Sequence, residues 1–138
     1  RAASGSVSAW YLVNRLAQYA EETALIVPGM TDAIACGDAD AAGALMARSQ
    51  QMAEDALENQ VPQTVWLAAQ ARALGAAGAT AFGAGFGGAV WALVANGGAE
   101  EFAKAWVASY RAVYGAGTSR GQAARVMTPS AGVSRSTS

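Results

Sequence analysis

Gly83-Ala84-Gly85-Phe86-Gly87-Gly88 lies between two short apolar runs, Ala79-Thr80-Ala81-Phe82 and Ala89-Val90-Trp91-Ala92-Leu93-Val94. Each run has the length of a strand and is too short for a helix of ordinary size. Five of the six residues between them are glycine or alanine, so the backbone there can take positive φ and let another group approach closely. The N–H groups of such a loop can form a concave anion site. The stretch therefore predicts a glycine-rich β-hairpin serving a phosphate or a carboxylate, directly or by supporting a neighbouring loop. The plain alternative is a tight turn with no ligand, for which glycine is the usual residue.

Two glycine motifs compete for this loop. Gly83, Gly85 and Gly88 satisfy the dinucleotide fingerprint G-x-G-x-x-G, which has meaning only between a strand and a helix. Here the next run reads as a strand, so a nucleotide oxidoreductase is disfavoured; a helix directly after Gly88 would restore it. A Walker A loop needs Lys followed by Ser or Thr, and neither is present.

The chain has 138 residues, enough for one domain with a real core and not two. Hydrophobic residues make up 53% and charged residues 14%, which places it with packed chains rather than disordered ones. Much of the apolar content is alanine and glycine, so close helix packing and a rather apolar surface are expected. Such a surface often marks contact with another domain or chain. A net charge of −1 without a basic cluster disfavours nucleic-acid binding. The absence of histidine excludes histidine triads, imidazole bases and the common zinc sites. The single Cys36 reads as a small buried hydrophobe. No apolar run approaches the roughly 20 residues of a membrane span, and no signal-peptide pattern opens the chain, so a cytoplasmic location is expected. The chain begins at Arg1 rather than Met, which suggests a fragment of a longer protein.

Taken in order, Arg1 to Ser8 read as a frayed or linking segment. A helix follows from Ala9, with Leu12, Leu16, Tyr19, Ile26 and Met30 on one face and Pro28 expected to kink or restart it. Glu21 and Glu22 point about 100° apart and read as a solvated face, not an acid–base pair. Gly37 suits the end of this helix, and Asp38 the N-cap of the next. Capping accounts for Asp38 and Asp40 without a metal. The second helix carries Ala42, Leu45, Met46, Met52, Ala53 and Ala56 on its apolar side. Asn59-Gln60-Val61-Pro62 breaks it, and Pro62 opens a third helix running to Gly75, with Trp66 and Ala69 beginning a packing stripe. After the hairpin, Asn96-Gly97-Gly98 turns the chain into an amphipathic helix with Phe102, Trp106, Tyr110 and Val113 on one stripe. Ala123 to Thr128 predict a strand, Pro129-Ser130-Ala131-Gly132 a turn, and Val133 to Ser138 an edge strand or a frayed end. The pattern is α+β, an antiparallel sheet packed against helices.

Gly75 to Gly88 followed by an apolar strand resembles the third conserved motif of the kinases grouped as galactokinase, homoserine kinase, mevalonate kinase and phosphomevalonate kinase. The Gly-Phe-Gly-Gly core is most similar to the galactokinase branch, as is Pro129-Ser130-Ala131-Gly132 near the end. The resemblance covers most of residues 12 to 132. It implies one domain over residues 1–138, the C-terminal domain of such a kinase, with ferredoxin-like topology. It implies a parent enzyme that uses ATP and Mg2+ to phosphorylate a sugar in a cleft shared with an N-terminal domain. That domain would carry the main phosphate loop, the metal positions and the catalytic residues, leaving none of these here and the fragment inactive alone. Gly83, Ala84, Gly85, Phe86, Gly87 and Gly88 would support the nucleotide loop. Three departures bear on the acceptor: Ala89 where many galactokinases have Cys, Ser49-Gln50 where many have Ser-His, and Val61-Pro62-Gln63-Thr64-Val65 where Cys-Pro-Glu-Leu-Asp is usual. A reading from another class is a free-standing binding module, homo-oligomeric through its apolar surface.

Overall fold

A computed structural model describes residues 8–83, 85–95, 97–115 and 123–128. The elements are α1 (Ala9–Glu21), a π-helical turn (Glu22–Ile26), α2 (Val27–Cys36), α3 (Ala39–Asp55), α4 (Pro62–Ala73), β1 (Gly78–Phe82), β2 (Ala89–Leu93) and α5 (Ala99–Tyr114). The α+β class is as expected, with β1 and β2 antiparallel and in the register Gly78↔Leu93, Thr80↔Trp91, Phe82↔Ala89.

Local sequence sets most boundaries. Ser8 caps α1 by accepting the Tyr11 N–H at 3.1 Å. Pro28 has no N–H to give, and the helix accommodates it with the π-helical turn just ahead, in which the Val27 N–H reaches back to the Glu22 carbonyl. The axis is thus widened rather than broken. Gly37 at φ 70° ends α2, and the Asp38 N–H bonds the Ala33 carbonyl at 2.8 Å while Gly37 bonds Ile34 at 3.1 Å. This paired closure requires the left-handed residue that glycine supplies. Asp38 then caps α3, its Oδ1 accepting the Ala41 N–H at 2.9 Å, so capping does account for that carboxylate.

The two faces of the hairpin are packed by different helices. One face holds Ala79 and, from β2, Val90 and Ala92. It meets Ala68 and Ala71 of α4, both without exposed surface, and Trp106 of α5. The Trp106 indole N–H donates to the Leu67 carbonyl at 3.1 Å, which lets the ring be buried. Trp66 stands edge-on to Tyr110 and Tyr114, with ring centroids 6.0 and 5.8 Å away. The other face receives α3 at backbone distance. A Cβ on Gly43 would lie 1.9 Å from the Ala77 carbonyl oxygen, and one on Gly78 would lie 2.7 Å from the Gly43 Cα. The missing side chains at Gly43 and Gly78 are what let helix and strand come so close.

Five expectations about burial and strands are corrected. Leu12, Leu16 and Tyr19 are exposed, and α1 buries none of its residues, because nothing among the described residues lies opposite that stripe. Val113 at the far end of α5 is exposed as well, beyond the reach of the sheet. Ala69 is exposed; the buried stripe of α4 is Thr64, Ala68 and Ala71. Cys36 is exposed, since it sits where the chain turns out of α2. Residues 123–128 form no strand and are exposed. No described strand lies beside them to complete a ladder. The expectations for Arg1 to Val7, Asn96 and residues 129–138 lie outside the described residues.

Glu21 and Glu22 are not simply solvated. Glu21 takes both Arg48 Nε and Nη2 at 2.6 and 2.9 Å, and Glu22 accepts from the Ser49 hydroxyl. Together they tie the π-helical turn to α3. The hydrogen bonds from Arg48 hold the Glu21 carboxyl below the usual glutamate range; burial opposes them, and the charge of Arg48 adds a smaller effect in their direction.

Two outcomes follow from this packing. Gly43→Ala, which would stabilise an isolated helix, is expected to destabilise this protein by at least about 2 kcal/mol because the added methyl has only backbone to displace; urea denaturation measures it. A carboxyl whose pKa is lowered on folding stabilises above its unfolded pKa, and that contribution fades as pH falls through the lowered folded value. The melting-temperature gap between the wild type and Glu21→Gln should therefore be steady near neutrality and close in the acid range, and added salt should shrink it.

Candidate functional site: the glycine loop and its backing

The strand register ends at Phe82↔Ala89, which leaves residues 83–88 as the connection. Gly83, Gly85, Phe86, Gly87 and Gly88 all have positive φ; Ala84 lies outside the described residues. β2 begins directly after Gly88, so the helix that a dinucleotide fingerprint requires is not there, and the oxidoreductase reading falls. The loop has no ionisable side chain. It can offer backbone groups, shape and the Phe86 ring, but no acid, base or nucleophile.

The loop is fixed from behind by Asn59, a residue of the α3–α4 connection that is only 7% exposed. The Phe86 N–H donates to the Asn59 carbonyl. Gly85 lies so close that a Cβ there would be 2.5 Å from the Asn59 oxygen and 2.6 Å from its Cγ and Nδ2. With φ at 85° as well, this is the position where glycine is required twice over, for conformation and for space. Asn59 is itself held: Gln60 Nε2 donates to Asn59 Oδ1 at 2.9 Å, and the Thr64 hydroxyl donates to Gln60 Oε1 at 2.9 Å. Because the Phe86 N–H is committed to Asn59, it does not face an anion.

A second support lies at the exit of β1. Gln50 of α3 is 2% exposed. Its Oε1 accepts the Ala81 N–H at 2.7 Å and the Thr80 hydroxyl at 3.2 Å, and its Nε2 donates to Glu54 at 2.7 Å. The side chain thus takes a strand N–H that β2 does not take and anchors the residues that lead into Gly83.

Phe86 stands out at the tip. Its φ is 59° and its side chain is 75% exposed. A bulky residue in the left-handed region costs on the order of 1 kcal/mol, and no burial of the ring offsets it. Beside the loop base, Phe82 and Trp91 line an open groove of about 340 Å³ with Ile26, Met30 and Met46. Among the described residues no group of three or more acidic or cysteine side chains could hold a metal ion.

Sequence reasoning located the loop and missed its supports. Gln50 carried a signal: it falls on the apolar stripe of α3 one turn after Met46, where a polar residue has to be satisfied internally. Asn59 carried none beyond its place in a helix-breaking run.

Gln50→Leu keeps the volume but leaves the Ala81 N–H without its acceptor and the Thr80 hydroxyl with only its 3.3 Å bond to the Ala81 carbonyl, and is expected to cost about 1–3 kcal/mol in urea denaturation. Phe86→Gly removes the strained φ at little loss of packing, so its stability should be unchanged or higher by up to about 1 kcal/mol in the same assay.

A comparison with curated proteins finds no match. The family model described as GHMP kinases C terminal matches residues 30–112, more than half of the chain. The matched span runs from α2 to α5 and includes the hairpin, the glycine loop and both of its supports. On the strength of that match, the chain belongs to the GHMP kinase C-terminal domain family.

Proposed function

We propose that this chain is the C-terminal domain of a galactokinase-like sugar kinase that transfers the γ-phosphate of ATP to a sugar hydroxyl. The observation that carries the reading is the form of the glycine loop, which is braced from behind by Asn59 and carries no reactive side chain. Such a loop suits a positional role, and phosphoryl transfer depends mainly on positioning and electrostatic stabilisation. In this reading Gly83 to Gly88 press against the phosphate-holding loop of an N-terminal domain and keep it in place. MgATP would be held chiefly by that domain, since no cluster of carboxylates suited to Mg2+ lies among the described residues here. The exposed Trp10, Leu12, Leu16 and Tyr19 of α1 are the kind of surface that a further domain covers.

The same exposed surface favours a second reading, a module that self-associates and has no catalytic parent. The test is a coupled assay of ADP release with ATP, Mg2+ and a panel of sugars, run on this chain alone and on the protein with its N-terminal domain. Activity is expected only in the two-domain protein, and Gly85→Ala there should lower kcat/KM by about tenfold or more. Sugar phosphorylation by the chain alone would overturn the proposal. Inactivity of the two-domain protein, together with stable nucleotide-free oligomers of the chain, would favour the second reading.

A further inference from the structure

Asn59 sits where three constraints meet. Its carbonyl accepts the Phe86 N–H, its side chain fills the space a Cβ at Gly85 would need, and its own amide oxygen is held by Gln60. The preceding residue, Glu58, takes a φ of 48°, so the chain is turned sharply to deliver Asn59 to this place. At Gly83 and Gly87, by contrast, an added Cβ would meet no described atom within 4 Å. The loop is thus fastened at Gly85 and Phe86, and the ring of Phe86 is exposed.

We propose that Asn59 is the positioning residue of the glycine loop: it selects the loop conformation and the direction in which Phe86 is presented. This deepens the kinase reading and rests on it only where nucleotide is concerned. The α3–α4 connection, and not the hairpin alone, then decides where the loop stands against its partner. A side chain shortened at position 59 would keep the carbonyl that accepts the Phe86 N–H but empty the space beside Gly85, leaving the strands paired and the loop more loosely held.

The experiment is amide hydrogen exchange on the intact protein, comparing the wild type with Asn59→Ala and the shape-conserving Asn59→Asp, together with steady-state kinetics in ATP. Asn59→Ala is expected to speed exchange at residues 85–88 by about tenfold while leaving Ala79 to Ala81 unchanged, because local opening is separable from global unfolding. Asn59→Asp should keep most of the protection. In the kinase, Asn59→Ala should raise KM for ATP more than it lowers kcat. If Asn59→Ala does not fold, Gly85→Ala disturbs the same contact from the other side and should give the same loop-confined effect. Unchanged exchange in the loop, or equal acceleration in loop and strands, would overturn the proposal. Loop-confined acceleration without any change in ATP kinetics would uphold the role of Asn59 and instead overturn the nucleotide-supporting role of the loop.

Discussion

The structure depends on the contact of α3 with β1 at backbone distance. Gly43 and Gly78 carry no side chain where helix and strand meet, and any added methyl would run into main-chain atoms or Met46. That contact fixes how α3 lies on the sheet. Gln50, about two helical turns further on, is then placed to take the Ala81 N–H and the Thr80 hydroxyl. Beyond the end of α3, the chain delivers Asn59 to the back of the glycine loop. One line of support therefore runs from a glycine contact in the core, through a buried amide, to the loop tip.

The opposite face of the sheet is closed by small residues around one large one. Ala68, Ala71 and Ala79 have no exposed surface, and Trp106 fills the space they leave. Small side chains bring the layers together but contribute little apolar area each. Much of the fixing across the molecule is directional instead: the indole bond to Leu67 on this face and, around α3, the closure of α2, the capping of α3 and the paired bonds between Glu21 and Arg48. A fold of this kind keeps its backbone geometry tightly defined.

Large apolar side chains are meanwhile left outside. Trp10, Leu16, Leu25, Ile34 and Phe86 are all more than half exposed. Their placement on α1, on α2 and at the loop tip is consistent with a molecule that meets another surface there. Among the described residues, no helix is long and apolar enough to cross a membrane.

The hairpin, the helix limits and the left-handed turn at Gly37 were legible from the residues alone because each is a local matter. Strand-length runs, a proline at a first turn and an aspartate before a helix act through neighbours within a few positions. The burial of α1 and the strand at 123–128 were misjudged because a stripe or an apolar run shows a capacity to pack, and whether a partner stands opposite is not written in it. The acceptor of the Ala81 N–H lies 31 residues away in sequence, and Asn59 lies 27 positions before Phe86. The sequence by itself thus determined that a glycine loop would join two strands. Only the tertiary structure decided which side chains hold that loop, because partners so far apart are chosen by how α3 seats on β1 and not by any local pattern.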